Sequence, residues 1–241
     1  MIRRKILIPV REDLMNANLF KFLLEFGSNN DFELVIFTED AKLPAEYTDT
    51  LINFLSIPGV SVVGGLRDNA IDAINELCES RAIDLVALTG LYEAKTIAAA
   101  LQRPMIFFPF GWQPKDIKKI GFACDNDTIR DSSVLTILWH LARELKAEVY
   151  TVHVSKEQVN HWSLEETIED TLEFYLQDID HHYDFVQGDN ITKTILDYAD
   201  AKGLDLLMTM PRDHQINSNP NGGKITNKLM EACDIPLMTV D

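Results

Sequence analysis

"FVQGDNITKTILDYADAKGLDLLMTM" (185–210) decides how this chain folds. A short apolar run gives way to Gly188, an amphipathic helical stretch follows, and a second apolar run begins immediately after Asp205. Short β-branched and apolar runs on either side of a helical period make a β-α-β unit, the building block of a parallel sheet. The same order occurs earlier, in "VVGGLRDNAIDAINELCESRAIDLVALTG" (62–90), where Asp84 introduces the final run. The chain therefore repeats itself.

Working outward, the repeat takes in both halves. "KILIPV", the helix-like "ANLFKFLLEFG" and "FELVIFTED" match "KIGFACD", "SSVLTILWHLARELK" and "AEVYTVHV" in the same order. Each half closes on Pro and another apolar run, "PMIFFP" and "PLMTV". The fold class is α/β: two tandem open parallel five-stranded sheets flanked by helices, Rossmann-like. The first domain is expected over residues 1–110 and the second over 117–241, joined by "FGWQPKD" (110–116).

Composition narrows the function. A formal net charge of -16 repels polyphosphate backbones and anionic lipid, so nucleic acid and membrane surfaces are not expected partners. The apolar run in "MIRRKILIPV" is too short for a signal-peptide core, and the most apolar stretch, "PMIFFPFGW", is too short to span a bilayer. Cys78, Cys124 and Cys233 lie far apart with no paired spacing, which fits a reducing compartment and neither a zinc site nor a disulfide framework. The expectation is a cytoplasmic protein.

The offset between matching residues locates the site. It grows from 114 residues (Ile6 to Ile120) to 121 (Asp84 to Asp205) to 132 (Pro104 to Pro236), so most of the extra length follows the fourth strand of the second half. Ligands of open parallel sheets bind beyond the carboxyl ends of the strands. The second half keeps a long loop there, 210–223, where the first has only "TGLYE". "PRDHQINSNPNGGKIT" (211–226) has the glycines, lysine and helix start that suit a phosphate. It is not a Walker loop, because Ser218 and Ile225 stand where that pattern asks for Gly and for Ser or Thr.

Over essentially its whole length the chain resembles the universal stress proteins in tandem form, most closely in 185–210 and in "GGKITNKLMEACDIPLMTVD". In nucleotide-binding members of that family a first-strand Asp contacts adenine or ribose, and a loop G-x-x-G-x9-G-[ST] after the fourth strand wraps the phosphates. The resemblance implies a site from Cys124 and Asp125 at the end of the first strand, His153 and Val154 at the end of the second, and Gly222, Gly223, Lys224 and Ile225 at the loop's close. The loop departs from the pattern: Met210 and Asp213 hold the first two Gly positions, and Lys224 holds the Ser/Thr position. A Cβ obstructs close approach of backbone to phosphate, and the Asp213 carboxylate repels it. Lys224 pulls the other way, as a point charge toward an anion. In the first half, Arg11 replaces the first-strand Asp.

Plainer roles stand beside these. Asp125 also suits an N-cap for the helix that follows, and Gly222-Gly223 also suit ordinary turn chemistry. His181 and His182 alternate faces on a strand, so no metal site is expected of them. Leu164, Ile168, Leu172, Leu176 and Ile179 give "LEETIEDTLEFYLQDI" one apolar helical face, leaving its acids in solvent. No G-x-S-x-G, G-x-G-x-x-G or Cys-x-x-Cys is present, so no catalytic residue is assigned.

The expectation is a non-catalytic stress-response or signalling module with a degenerate ligand site, no resident cofactor and a protein partner. The alternative is a regulator that binds ATP or AMP through the second domain only. The two halves are expected to pack as an internal pseudo-dimer, because each ends in an apolar strand whose open edge invites pairing; further homodimerisation stays open. Small-angle scattering is expected to give one compact particle, and halves moving independently on the joint would overturn that expectation.

Overall fold

The computed structural model describes residues 4–10, 17–29, 32–38, 47–48, 52, 59–64, 70–89, 103–124, 132–156, 170–210 and 224–240. The chain divides into two compact units between Lys115 and Asp116. In the first unit, β1 (Lys5–Val10), α1 (Ala17–Asn29), β2 (Glu33–Thr38), β3 (Val60–Gly64), α2 (Ala70–Arg81), β4 (Leu85–Thr89) and β5 (Met105–Phe108) follow one another. Its strands run parallel in the order β3-β2-β1-β4-β5.

The second unit repeats the plan with β6 (Lys119–Cys124), α3 (Ser132–Leu145), β7 (Glu148–Ser155), β8 (His181–Gln187), α4 (Ile191–Lys202), β9 (Leu206–Thr209), α5 (Lys224–Ala232) and β10 (Leu237–Thr239). Its parallel order is β10-β9-β6-β7-β8. In each unit the order reverses beside the first strand, at β1/β4 and at β6/β9. The apolar runs are continuous because helices cover both faces: Ile6, Leu7, Ile8, Leu206, Leu207 and Met208 are all buried.

One device registers both sheets. The Asp84 amide donates to the Lys5 carbonyl at 3.0 Å, and the Asp84 carboxylate accepts the Lys5 amide at 2.7 Å. In the second unit Asp205 repeats this on Lys119, at 2.9 Å for both bonds, and its carboxylate also accepts the Lys118 amide. The lysine side chains complete the clasp: Lys5 Nζ donates to the Arg81 carbonyl and Lys119 Nζ to the Lys202 carbonyl, the last residues of α2 and α4. Free carbonyls at a helix end take such a cation readily. The helices then turn through Ala82 (φ 50°) and Gly203 (φ 62°), each in the left-handed region. Gly203 does so without strain, whereas Ala82 carries a Cβ.

The joint belongs in part to the first unit. Trp112 is buried, with its ring 5.3 Å from both Phe22 and Phe108, and its amide closes a turn on the Pro109 carbonyl. The acidic helix is described over 170–176 and buries Leu172 and Leu176, as its spacing predicts. Ile179 departs from that expectation. It lies past the helix, in the turn that leads into β8, with its amide donating to the Leu176 carbonyl.

Because the Asp205 carboxylate accepts the Lys118 and Lys119 backbone amides, Asp205→Ala is expected to cost about 1–3 kcal/mol. A fall in the urea midpoint with the slope unchanged would show it; an unaltered midpoint would show that water replaces the carboxylate without loss.

Candidate functional site

The carboxyl ends of β6 and β9, on either side of the strand-order reversal, are where a ligand of such a sheet sits. Residues in register across parallel strands point to the same face. Cys124 is in register with His153, and His153 with Phe185, so these three form a row on one face. The His153 ring lies nearly flat on Phe185, with centroids 5.0 Å apart and planes 12° apart, and is 8% exposed. Val154 pairs with Val186 on the opposite face, beside the cluster of Val152, Tyr198, Ala199 and Leu204.

The opposite face carries a second row, Thr239, Thr209, Ala123, Val152 and Asp184. Helix α4 reaches this face through Tyr198, which donates to Asp184, and α5 packs beside α4. Thr209 and Thr239 are buried on adjacent strand ends, and the first turn of α5 carries a third buried hydroxyl, Thr226. The matching residues of the first unit, Leu88 and Phe107, are apolar. Among the described residues the hydroxyls of this row lie in the second unit, whereas the first unit's buried Thr38 and Thr89 end β2 and β4 on the other face.

No protein-family model and no curated protein sequence matches the chain. Solved structures do. A universal stress protein from Archaeoglobus fulgidus DSM 4304 aligns over 98% of both chains with a TM-score of 0.70 at 13% identity. A putative universal stress protein from Pseudomonas aeruginosa UCBPP-PA14 aligns over 99% of this chain and 93% of its own, with a TM-score of 0.73 at 12% identity. This is the tandem universal stress protein fold. A protein of unknown function from Pseudomonas aeruginosa PAO1 shares it, with a TM-score of 0.68 at 13% identity over 99% of this chain and 92% of its own.

Within the universal stress protein fold, the residues named from sequence fall as follows. Cys124 and His153 stand side by side, while Val154 faces the other way. Lys224 and Ile225 open α5, which follows β9 on the opposite side of β6 from His153. Ile225 is 37% exposed. Asp125, Gly222 and Gly223 lie outside the described residues, as do Asp213 and the loop from 211. Thr209, Thr226 and Thr239 were not singled out from sequence. For Thr209 and Thr239 the signal was a hydroxyl closing the otherwise apolar "LLMT" and "LMT", where the first half has Leu88 and Phe107 at the matching positions.

Elsewhere in the second unit, polar and aromatic residues replace aliphatic ones. Lys202 Nζ lies 5.4 Å from the Tyr198 ring centre and 5.7 Å from that of Tyr150, and 2.8 Å from Asp184 Oδ2. The Tyr198 hydroxyl donates to the same carboxylate oxygen at 2.7 Å, and the Tyr150 hydroxyl donates to Glu148. The first unit holds Val35, Val63 and Leu77 in the places of Tyr150, Asp184 and Tyr198. Burial, then the bond to Asp184, pushes the Tyr198 phenol far above its usual range. This network closes on itself and fastens α4 to β8.

His181 is engaged as well, its Nδ1 donating to the Ile179 carbonyl and its Nε2 lying 3.3 Å from Glu173. Burial pushes the Cys78 and Cys233 thiols up to about 11, so both stay protonated and poorly nucleophilic near neutrality. Among the described residues no group of three or more His, Cys, Asp or Glu is placed to hold a metal ion. Nor is any helix there long and apolar enough to cross a membrane.

Partial burial raises the Asp184 carboxyl, but the bonds from Lys202 and Tyr198, with the charges of Lys202 and His182, outweigh it and hold the group below its ordinary value. A depressed carboxylate adds stability above its unfolded pKa, about 3.9, that is lost as pH falls through the folded value. Lys202→Met is therefore expected to lower the melting temperature at pH 6 more than at pH 2.5. Equal losses at the two pH values would refute the coupling.

Proposed function

We propose that the protein is a non-catalytic stress-response or signalling module of the universal stress protein type, whose second unit carries a ligand site that no longer holds ATP with useful affinity. The observation that carries this reading is Met210, directly beyond β9 in a chain that has the tandem fold along its whole length. In the resembled family that place belongs to the first phosphate-loop glycine, whose missing Cβ lets backbone approach the phosphate. Asp213 and Lys224 complete the set of departures. Three features support a binding role over a catalytic one: two of the three thiols are buried with raised pKa, the His153 ring is packed on Phe185, and the Asp184 carboxylate is held by Lys202. The output of such a module is contact with a protein partner.

The second reading, an adenine-nucleotide regulator working through the second unit, is favoured by the buried Thr209, Thr239 and Thr226 hydroxyls, the first two of which stand where the first unit has Leu88 and Phe107. Calorimetry with ATP, ADP and AMP, with and without magnesium, separates the two. The parent chain is expected to show no micromolar binding, which would be worth about -8 kcal/mol. The variant Met210→Gly, Asp213→Gly, Lys224→Ser is expected to bind ATP at least about tenfold more tightly than the parent, or about 1.4 kcal/mol. Micromolar binding by the parent that the variant improves would establish the second reading. Equal micromolar binding by both would overturn the reading of the loop altogether.

A further inference from the structure

The outer edge of β3 differs from the corresponding edge of β8 in one decisive respect: it carries no charge. β3 is "VSVVG", with neither a charged residue nor a proline, and among the described strands it pairs only with β2. β8 is "HHYDFVQ", where His181 lies against Glu173 and Asp184 against Lys202. Charged side chains are how natural edge strands discourage pairing with another chain. Among the described residues, β8 has that protection and β3 does not.

The register fixes which backbone groups are on offer. The Leu34 amide donates to the Gly59 carbonyl, and Leu34 is in register with Val60. In a parallel ladder this turns Gly59, Ser61 and Val63 toward β2, and leaves the amides and carbonyls of Val60, Val62 and Gly64 pointing outward. Ser61 also turns its hydroxyl inward, to the Leu34 carbonyl. Val62 is 40% exposed.

We propose that this edge pairs with the β3 edge of a second copy of the chain, antiparallel about a two-fold axis at Val62. In that arrangement Val62 meets its own counterpart, and each Val60 meets a Gly64. Small opposite large lets the backbones close without a side-chain clash, and all three outward residues exchange hydrogen bonds. The strand is thus its own complement. A cationic or acidic partner finds no charge on β3 to recognise, whereas a second VSVVG matches it residue for residue. For β8, pairing about its middle residue would set Asp184 against Asp184, and like charges directly opposite are destabilising.

Two features follow from the physics. Five residues a side bury less than a stable interface needs, so the dimer is weak and concentration-dependent. Each copy carries a net charge of -16, so their long-range repulsion must be screened before the uncharged strands meet. Association therefore strengthens as salt is added, opposite to a contact held by ion pairs.

Sedimentation velocity from about 10 to about 500 μM, spanning the weak range expected for so small a contact, is expected to show a monomer–dimer equilibrium that shifts toward dimer in higher salt. Val62→Pro removes only an outward-pointing amide, a position where an edge strand tolerates proline, and should weaken the dimer at least tenfold. Val62→Lys places a gatekeeper charge on the same edge and should do likewise. Unchanged melting temperatures show that each variant still folds; should one of them not fold, the other carries the test. A chain that stays monomeric across the range overturns the proposal, as does a dimer that survives in a folded variant or weakens with salt. An edge that binds an added extended peptide in place of a second copy also overturns it.

Discussion

The aspartate before the fourth strand of each half holds the structure in register. A parallel sheet has no hairpin to set its pairing, so the strand that returns from a crossover needs something at its amino end to tell it where to begin. Asp84 and Asp205 supply this by bonding the first strand through both backbone and side chain. Once that contact is made, Leu85 falls beside Ile6 and Leu206 beside Ile120. A slip of one residue would turn every buried side chain of β4 or β9 to the other face. The lysine of the same clasp caps the helix that delivers the aspartate, so crossover, register and helix end are fixed together.

On this shared frame the two units have diverged in chemistry. Where the first has Leu88 and Phe107 the second has Thr209 and Thr239, and where the first has Val35, Val63 and Leu77 the second has Tyr150, Asp184 and Tyr198. Buried polar groups are tolerated only with partners, and the second unit provides them: Tyr198 and Lys202 converge on one Asp184 oxygen. Valine and leucine satisfy the same strand–helix contact in the first unit, so the fold does not require the polar set. The two edges diverge in the same sense, with β8 carrying His and Asp and β3 only Val, Ser and Gly.

Much of this was legible in the residues. Both β-α-β repeats, the helix at Ala17–Asn29 and the strands behind "KILIPV", "KIGFACD" and "AEVYTVHV" stand where their periods place them. A period of two or 3.6 is a local property, and burial on both faces writes it plainly. The acidic helix was legible at Leu172 and Leu176 but not at Ile179, because an apolar residue at helical spacing also suits a turn that leads into a strand, and Leu164 and Ile168 lie outside the described residues. The site was less legible. His153 and Val154 are neighbours in sequence yet point to opposite faces, and the resemblance that named them both does not distinguish faces.

By itself the sequence determined the duplicated α/β plan, the aspartate that introduces the fourth strand of each half, Met at position 210 and the asymmetry of loop length, because each is written in the order of residues along the chain. Tertiary structure alone decided that β4 and β9 return beside the first strand of their unit. It also decided that His153 lies on Phe185, that Thr209 and Thr239 share a row, and that Lys202 sits between two tyrosine rings. These are contacts between residues separated by other elements of the chain. Strand order and face are set by how helices cover the sheet after each crossover, and no local period carries that information.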